Sequence, residues 1–289
     1  MRRAWTLLRD TFTAWSADKV PRLAAALAYY TIFSLAPLLI ITIAIAGLVL
    51  GPAAVQGQLY GQLDAWIGPD GSELIQTMIA STQGTNSGLI ATVVGTITLI
   101  LGAIGVFGQL QEAFNAIWHV PESKGAGWRG QIEERVASLL MVLALGAFLL
   151  ISLLTSAILA ALNTWAEGLL PGAPWVWDVL HQGVSLLILS GLFAAMFKKV
   201  PDVSIKWSDV WPGAILTAVL FTIGRSLIDL YLSFSSVASA YGAAGALIVI
   251  LVWVYYSALI ILFGAVFTRV YAERVGSRAQ IVGARVAAD

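Results

Sequence analysis

The sequence predicts an all-α, polytopic membrane protein. It has six transmembrane helices, both termini inside, a cytoplasmic interfacial N-terminal helix and amphipathic helices on the outer side. Three observations predict this. Six long apolar runs alternate with polar flanks, each able to supply the ~20 residues that cross a ~30 Å hydrocarbon core. Hydrophobic residues make up 59% of the 289 and charged residues 11%, whereas a soluble domain carries about a quarter charged; mean hydropathy is +0.86. Fifteen of the sixteen Lys and Arg residues lie in alternate flanks: Arg2, Arg3, Arg9, Lys19 and Arg22; Lys124, Arg129 and Arg135; Lys198, Lys199 and Lys206; Arg269, Arg274, Arg278 and Arg285. Basic residues are retained on the cytoplasmic side, so the termini and two loops face inward and three loops face outward. The sixteenth, Arg225, lies inside the fifth run.

Sixteen acids balance the sixteen bases, so net charge gives no reason to expect a nucleic-acid partner. The chain has no Cys, which excludes disulfides, thiolate metal sites and Cys nucleophiles. Arg2 and Arg3 are not followed by an apolar h-region with a small-residue cleavage site, so no removable signal peptide is expected.

The chain divides into an interfacial segment at 1–20, a transmembrane domain at 21–273 and a cytoplasmic tail at 274–289. In residues 3–17, Trp5, Leu8, Phe12 and Trp15 recur at spacings of three and four. Such a helix lies in the headgroup layer or packs on the cytoplasmic loops. Asp18 reads as an N-cap and Pro21 as a first-turn residue of the first span, Leu23 to Leu50. Pro37 lies mid-span, removes one backbone hydrogen bond, and predicts a kink near Ser34. Residues 51–87 form an outer amphipathic segment. Val55, Leu59, Leu63, Trp66 and Ile67 share one helical face, and Asp70 with Glu73 makes a capping box before Leu74, Ile75, Met78 and Ile79. These helices are either a lid or simple interfacial anchors. The later spans run Leu89–Trp118, Val136–Leu162, Val176–Phe197, Val210–Tyr231 with Asp209 as N-cap, and Ala243–Val270. The uncharged stretch 232–242 is an outer hairpin or a short re-entrant segment.

Polar groups inside the apolar runs are the candidate site. Arg225 and Asp229 are four apart on the fifth helix, hence on one face. Asp209 precedes Arg225 by sixteen residues, roughly 24 Å of helix, which places the pair in the outer third of the membrane. An intramembrane Arg is costly and usually faces a bundle interior or a wet cavity. The pair is therefore a gate or binding site for an anionic group, or else an ion pair or snorkelling Arg that only orients the helix. Gln109, Glu112 and Asn115 recur at threes near the inner end of the second span. Glu112 there is a candidate proton- or cation-linked carboxylate, against the alternative of a solvated polar face. Gly102, Gly105 and Gly108, also at threes, allow another helix to approach closely. Tyr29, Tyr30 and Ser34 in the first span, and Tyr255, Tyr256 and Ser257 in the sixth, put hydroxyls in the bilayer for helix–helix bonding or a substrate path. His119 and His181 are each isolated in sequence and read as structural.

No Walker loop, dinucleotide fingerprint, zinc-binding His/Glu pattern or nucleophile elbow is present. The inner loops offer only scattered carboxylates: Glu122, Glu133, Glu134, Asp202 and Asp209. No metal, no cofactor and no enzymatic activity is expected.

Asp18-Lys-Val-Pro21, followed by Ala24-Ala-Ala-Leu-Ala-Tyr-Tyr-Thr-Ile-Phe-Ser-Leu-Ala-Pro37, resembles the opening of the YihY/virulence factor BrkB family. Gln109-Leu-Gln-Glu-Ala-Phe-Asn-Ala-Ile-Trp118 is similar to its second signature. Val200-Pro-Asp202, Trp207, Tyr241-Gly-Ala-Ala-Gly245, Trp253-Val-Tyr-Tyr-Ser257 and Phe263-Gly-Ala265 resemble its C-terminal half. The resemblance covers about residues 18–273. It implies a bacterial inner-membrane protein of six spans. Members once carried a ribonuclease BN label, which the missing hydrolytic cluster argues against. Lipid export has been proposed for relatives, and the BrkB name refers to resistance to serum killing. Where the family commonly has Gln and Glu in the sixth span, this chain has Leu259 and Val266, so any coupling role of those polar residues is absent here. The expected function is a transporter or exporter of an amphiphilic or anionic solute such as a lipid, with membrane lipids as partners. The alternative is a non-transporting envelope scaffold. The oligomeric state is left open.

Overall fold

The computed structural model describes residues 2–34, 56–57, 60–61, 64, 72–77, 79, 105–121, 174–234 and 243–279. All regular structure among these residues is helical. Helix α1 spans Arg2–Ala17, and α2 holds the described residues 20–34 of the first apolar run. Helix α3 covers 105–117, α4 Pro174–Lys199, α5 Trp207–Phe234 and α6 Ala243–Arg274. Trp207–Ile228 and Leu247–Arg274 are long and apolar enough to cross a membrane. The third span and Pro37 lie outside the described residues, as do Asp70 and residues 235–242. In the outer segment, residues 72–77 are helical and Ile75 and Ile79, one turn apart, are buried.

One core joins α2 to α6. It contains Val20, Ala24, Phe107, Phe114, Ile117, Phe193, Phe197, Val210, Leu262 and Val266. Phe114 and Phe197 meet edge-on at 5.8 Å, and Phe197 stacks on Phe193 at 6.2 Å. These geometries suit the ring quadrupoles. Helix α5 packs on α4 along one side and α6 along the other, and α1 packs across α6.

The α5–α6 contact is a reciprocal device. Gly213 and Thr217 stand on α5, and Gly264 and Thr268 on α6, each pair four residues apart. Thr217 Oγ1 donates to the Gly213 carbonyl at 2.7 Å, and Thr268 Oγ1 to the Gly264 carbonyl at 2.8 Å. Each hydroxyl is thus satisfied within its own helix, which a buried polar group requires. The two antiparallel helices then cross so that each Thr covers the other helix's Gly. A Cβ on Gly213 would overlap Thr268 Oγ1, and one on Gly264 would overlap Thr217 Oγ1. Small residues allow the backbones this approach.

The helix ends differ from the expected caps. Asp18 is not an N-cap: α2 begins after a turn at Asp18 and Lys19, and the Asp18 carboxylate is taken by Arg269 and His119. Asp209 lies in the first turn of α5, which starts two residues earlier, at Trp207. Its buried carboxylate reaches across to the turn after α6, where it accepts the Ser277 N–H at 3.2 Å and the Ser277 hydroxyl at 2.5 Å. In both places a distant donor outcompetes the local amides. Gly276 makes the second contact feasible, because a Cβ there would come within 2.7 Å of Asp209 Oδ1. Asp209→Ala should leave the half-buried Ser277 donors without this acceptor, at about 1 kcal/mol. Limited proteolysis would then cut after Arg274 faster than in wild type; an unchanged rate would deny Asp209 this role.

Candidate functional site

Two places gather the polar residues of the bundle. The first is at its basic end. Helix α3 closes with the Val120 N–H on the Asn115 carbonyl and the His119 N–H on the Ala116 carbonyl. This is a Schellman motif, whose left-handed position usually belongs to Gly. Here it is His119, at φ 51°. The turn throws the imidazole toward Asp18 and Arg269. Asp18 Oδ2 meets Arg269 Nη2 at 2.9 Å as an ion pair, and both side chains are at most 7% exposed. Arg269 Nη1 donates to the Ile117 carbonyl at 2.5 Å. His119 Nε2 lies 3.0 Å from Asp18 Oδ1 and 2.9 Å from Arg269 Nη1. One nitrogen cannot donate and accept at once. The Nε2–H tautomer serves the acceptor-only carboxylate and leaves Nη1 to the Ile117 carbonyl. Among the described residues, Arg269 Nε is a buried donor with no acceptor.

Around this clamp run further ties. Asp202 accepts from Gln111 Nε2 at 3.0 Å and from Asn115 Nδ2 at 2.7 Å, and its own N–H donates to Asn115 Oδ1 at 2.9 Å. Arg278 donates to the Ser204 carbonyl at 2.9 Å and stands over the Trp118 ring at 5.2 Å. Lys198 Nζ donates to the Ile205 carbonyl. Of the polar stripe, only Asn115 joins this network: Gln109 is half-buried and Glu112 is exposed. The residue that pairs with Asn115 on α3 is Gln111, at a helical spacing of four. Arg269 was counted in the sequence only as a flanking charge. Its signal was present in the register, since it continues the buried stripe Leu262, Val266 and Ala272.

The second place is a cleft between α5 and α6. Phe221, Arg225 and Ile228 line it from α5, and Trp253, Tyr256, Ser257 and Ile260 from α6. Its enclosed volume is about 10 Å³. Phe221 meets Trp253 edge-on at 6.4 Å. Gly224 lets Tyr256 lean against α5, because a Cβ there would come 2.6 Å from the Tyr256 hydroxyl. The structure thus brings Arg225 and Tyr256 together. Asp229 follows one turn further along α5. Thr222 and Ser226 lie on the exposed side, each hydroxyl donating to its own helix, to the Ala218 and Thr222 carbonyls. Tyr255 is half-buried against the core. Ser34 is buried, whereas Tyr29 and Tyr30 are 60% and 44% exposed on α2, with Tyr30 beside Gly105 of α3. These α2 residues are not part of the Arg225 cleft.

Among the described residues the structure is helical, and two of its helices are long and apolar enough to cross a membrane. The chain belongs to the virulence factor BrkB family, whose sequence model matches residues 11–288. It is 27% identical over 274 residues to a UPF0761 membrane protein of Janthinobacterium sp. (strain Marseille), covering 91% of this chain and 60% of that relative. It is 28% identical to a UPF0761 membrane protein of Alteromonas mediterranea, covering 90% and 87%. A Pseudomonas aeruginosa relative of the same name is 28% identical, with 86% and 58% covered. The chain therefore spans about three-fifths of the length of two of these relatives. No solved structure matches.

Proposed function

We propose that the protein sits in a bacterial inner membrane with six spans and both termini cytoplasmic, and moves an anionic amphiphile, a phospholipid-like molecule, across it. The observation that carries this reading is the Arg225 cleft. A guanidinium within an apolar span is retained at a cost. Here it lines a space shared with two large aromatics, the Tyr256 hydroxyl and Ser257. Arg binds phosphate and carboxylate through a planar fork of donors, and hydroxyls and ring faces serve the remaining polar and apolar surface of a headgroup. About 10 Å³, room for roughly one water, is far below the roughly 300–1,000 Å³ of pockets that enclose a whole small ligand. α5 and α6 therefore part at this cleft to admit a headgroup, whose acyl chains stay among lipids. Asp229 follows Arg225 by four residues on α5, so the test removes both. A bundle that stays sealed at Arg225 favours the scaffold reading; one that parts at this cleft favours transport.

Fluorescent lipid in proteoliposomes, exposed to an impermeant quencher, tests this. Wild type should lose clearly more than half of its signal, and the Arg225→Ala, Asp229→Ala double variant should stop near half. A plateau at half for both would remove lipid translocation. Full loss in both would remove Arg225 as the site.

A further inference from the structure

Helix α1 presents three sectors at helical spacing. Thr11 is fully buried, and Leu7, Ala14 and Trp15 pack against the core, so this side faces the bundle. The next sector carries Trp5, Leu8 and Phe12, which are 71%, 37% and 59% exposed. Beyond it lies exposed Arg9, and Arg2 falls seven residues earlier, hence on the same helix face. Phe12 meets Phe263 at 5.3 Å, and Phe263 belongs to the membrane-length part of α6. The exposed aromatic sector is therefore continuous with the side of a membrane span. Charge points the same way. The acid of α1, Asp10, is paired with Arg274 at 3.0 Å, and the helix carries three arginines against this one acid.

We propose that α1 is an anionic-lipid site. Trp5, Leu8 and Phe12 seat among acyl chains beside α6, and Arg9 holds the phosphate of an acidic lipid in the adjoining leaflet. Trp rings favour headgroup depth, and cationic side chains at an anionic surface add to the apolar burial of an interfacial helix. This site is separate from the Arg225 cleft and does not depend on whether any solute crosses.

The test uses the full chain in nanodiscs of phosphatidylcholine containing a minor fraction of phosphatidylglycerol, with bromine on the acyl chains of one lipid at a time. The Trp5 fluorescence is isolated as wild type minus Trp5→Phe. Brominated phosphatidylglycerol should quench it at a lower mole fraction than brominated phosphatidylcholine. Arg9→Gln should raise the mole fraction needed about fivefold, and added salt should do the same. Arg9 is exposed, so the substitution leaves the packed face of α1 unchanged. Equal quenching by both lipids, indifferent to Arg9→Gln, would overturn the anionic site. No quenching by either would put Trp5 in water and give this face to a soluble partner instead.

Discussion

Asp18→Ala should be among the most damaging single substitutions in the chain. It leaves the Arg269 guanidinium buried without its counter-ion. Removing one partner of a buried pair typically costs about 3–5 kcal/mol, because the remaining charge stays out of water. Asp18 and Arg269 side chains are 7% and 5% exposed, so solvent screening offers little relief. The apparent melting temperature in detergent should fall by roughly 6–20 °C, taking 2–4 °C per kcal/mol for a chain of this size. His119 does not rescue it, since its imidazole is a poor substitute for a carboxylate. The double variant Asp18→Ala, Arg269→Met should recover most of the loss, because a matched apolar replacement removes the lone charge. If the double variant instead melts at the sum of the two single losses, the pair is not coupled. The clamp also joins the end of α1, the end of α3 and α6. Its loss should therefore expose the N-terminal amides to hydrogen exchange before the α4–α5 contact opens.

The second large effect is expected at the α5–α6 crossing. Gly264→Ala places a methyl where Thr217 Oγ1 stands, with Thr217 Cβ and Phe197 Cζ both at 3.0 Å. The nearest of these atoms is fixed by its hydrogen bond to the Gly213 carbonyl, so it cannot simply rotate away. Overpacking of this kind costs about 1–3 kcal/mol. Adding Thr217→Ala should return part of it, a favourable coupling that a double-mutant cycle reads directly. Gly191→Ala is the control. It stands within α4 with nothing inside 4 Å of the added atom. It should be neutral or stabilise by up to about 1 kcal/mol through helix propensity alone. Equal melting of the Gly264 and Gly191 variants would show that the close approach carries no energy.

Much of this arrangement was legible in the chain because it is one-dimensional. Apolar run lengths marked α4, α5 and α6 within a few residues of their ends: the expected Val176–Phe197 became Pro174–Lys199, and Ala243–Val270 became Ala243–Arg274. The helices overran the apolar stretches because hydrogen bonding continues into Lys198, Lys199 and Arg274, cations that suit a helix C-terminus. Motifs at 18–21, 109–118 and 200–202 pointed to the family as separate strings. What the strings did not reveal is that all three meet at one end of the bundle: Asp18 beside His119, and Asn115 on Asp202.

The caps failed for the same physical reason. Asp18 and Asp209 have the residue type and position that a local capping argument favours. Yet each has a stronger donor available from far along the chain: Arg269 for Asp18, and the Ser277 amide and hydroxyl for Asp209. Arg225 was visible as an anomaly in an apolar run, but its company was not. On α5, Thr222 and Ser226 are exposed, and packing supplies Tyr256, Ser257 and Trp253 from α6 instead.

By itself the sequence determined that this is a helical membrane protein, that α5 and α6 are long and apolar enough to cross, and where its unusual charge lies. Those follow from hydropathy, run length and the distribution of Lys and Arg, which need no partner. Tertiary structure alone decided which acid meets Arg269, which glycines admit a threonine from the facing helix, and which side chains share the Arg225 cleft. Each of these depends on the rotation and crossing of two helices about one another, and helix rotation is set by packing across contacts as far as 152 residues apart in sequence.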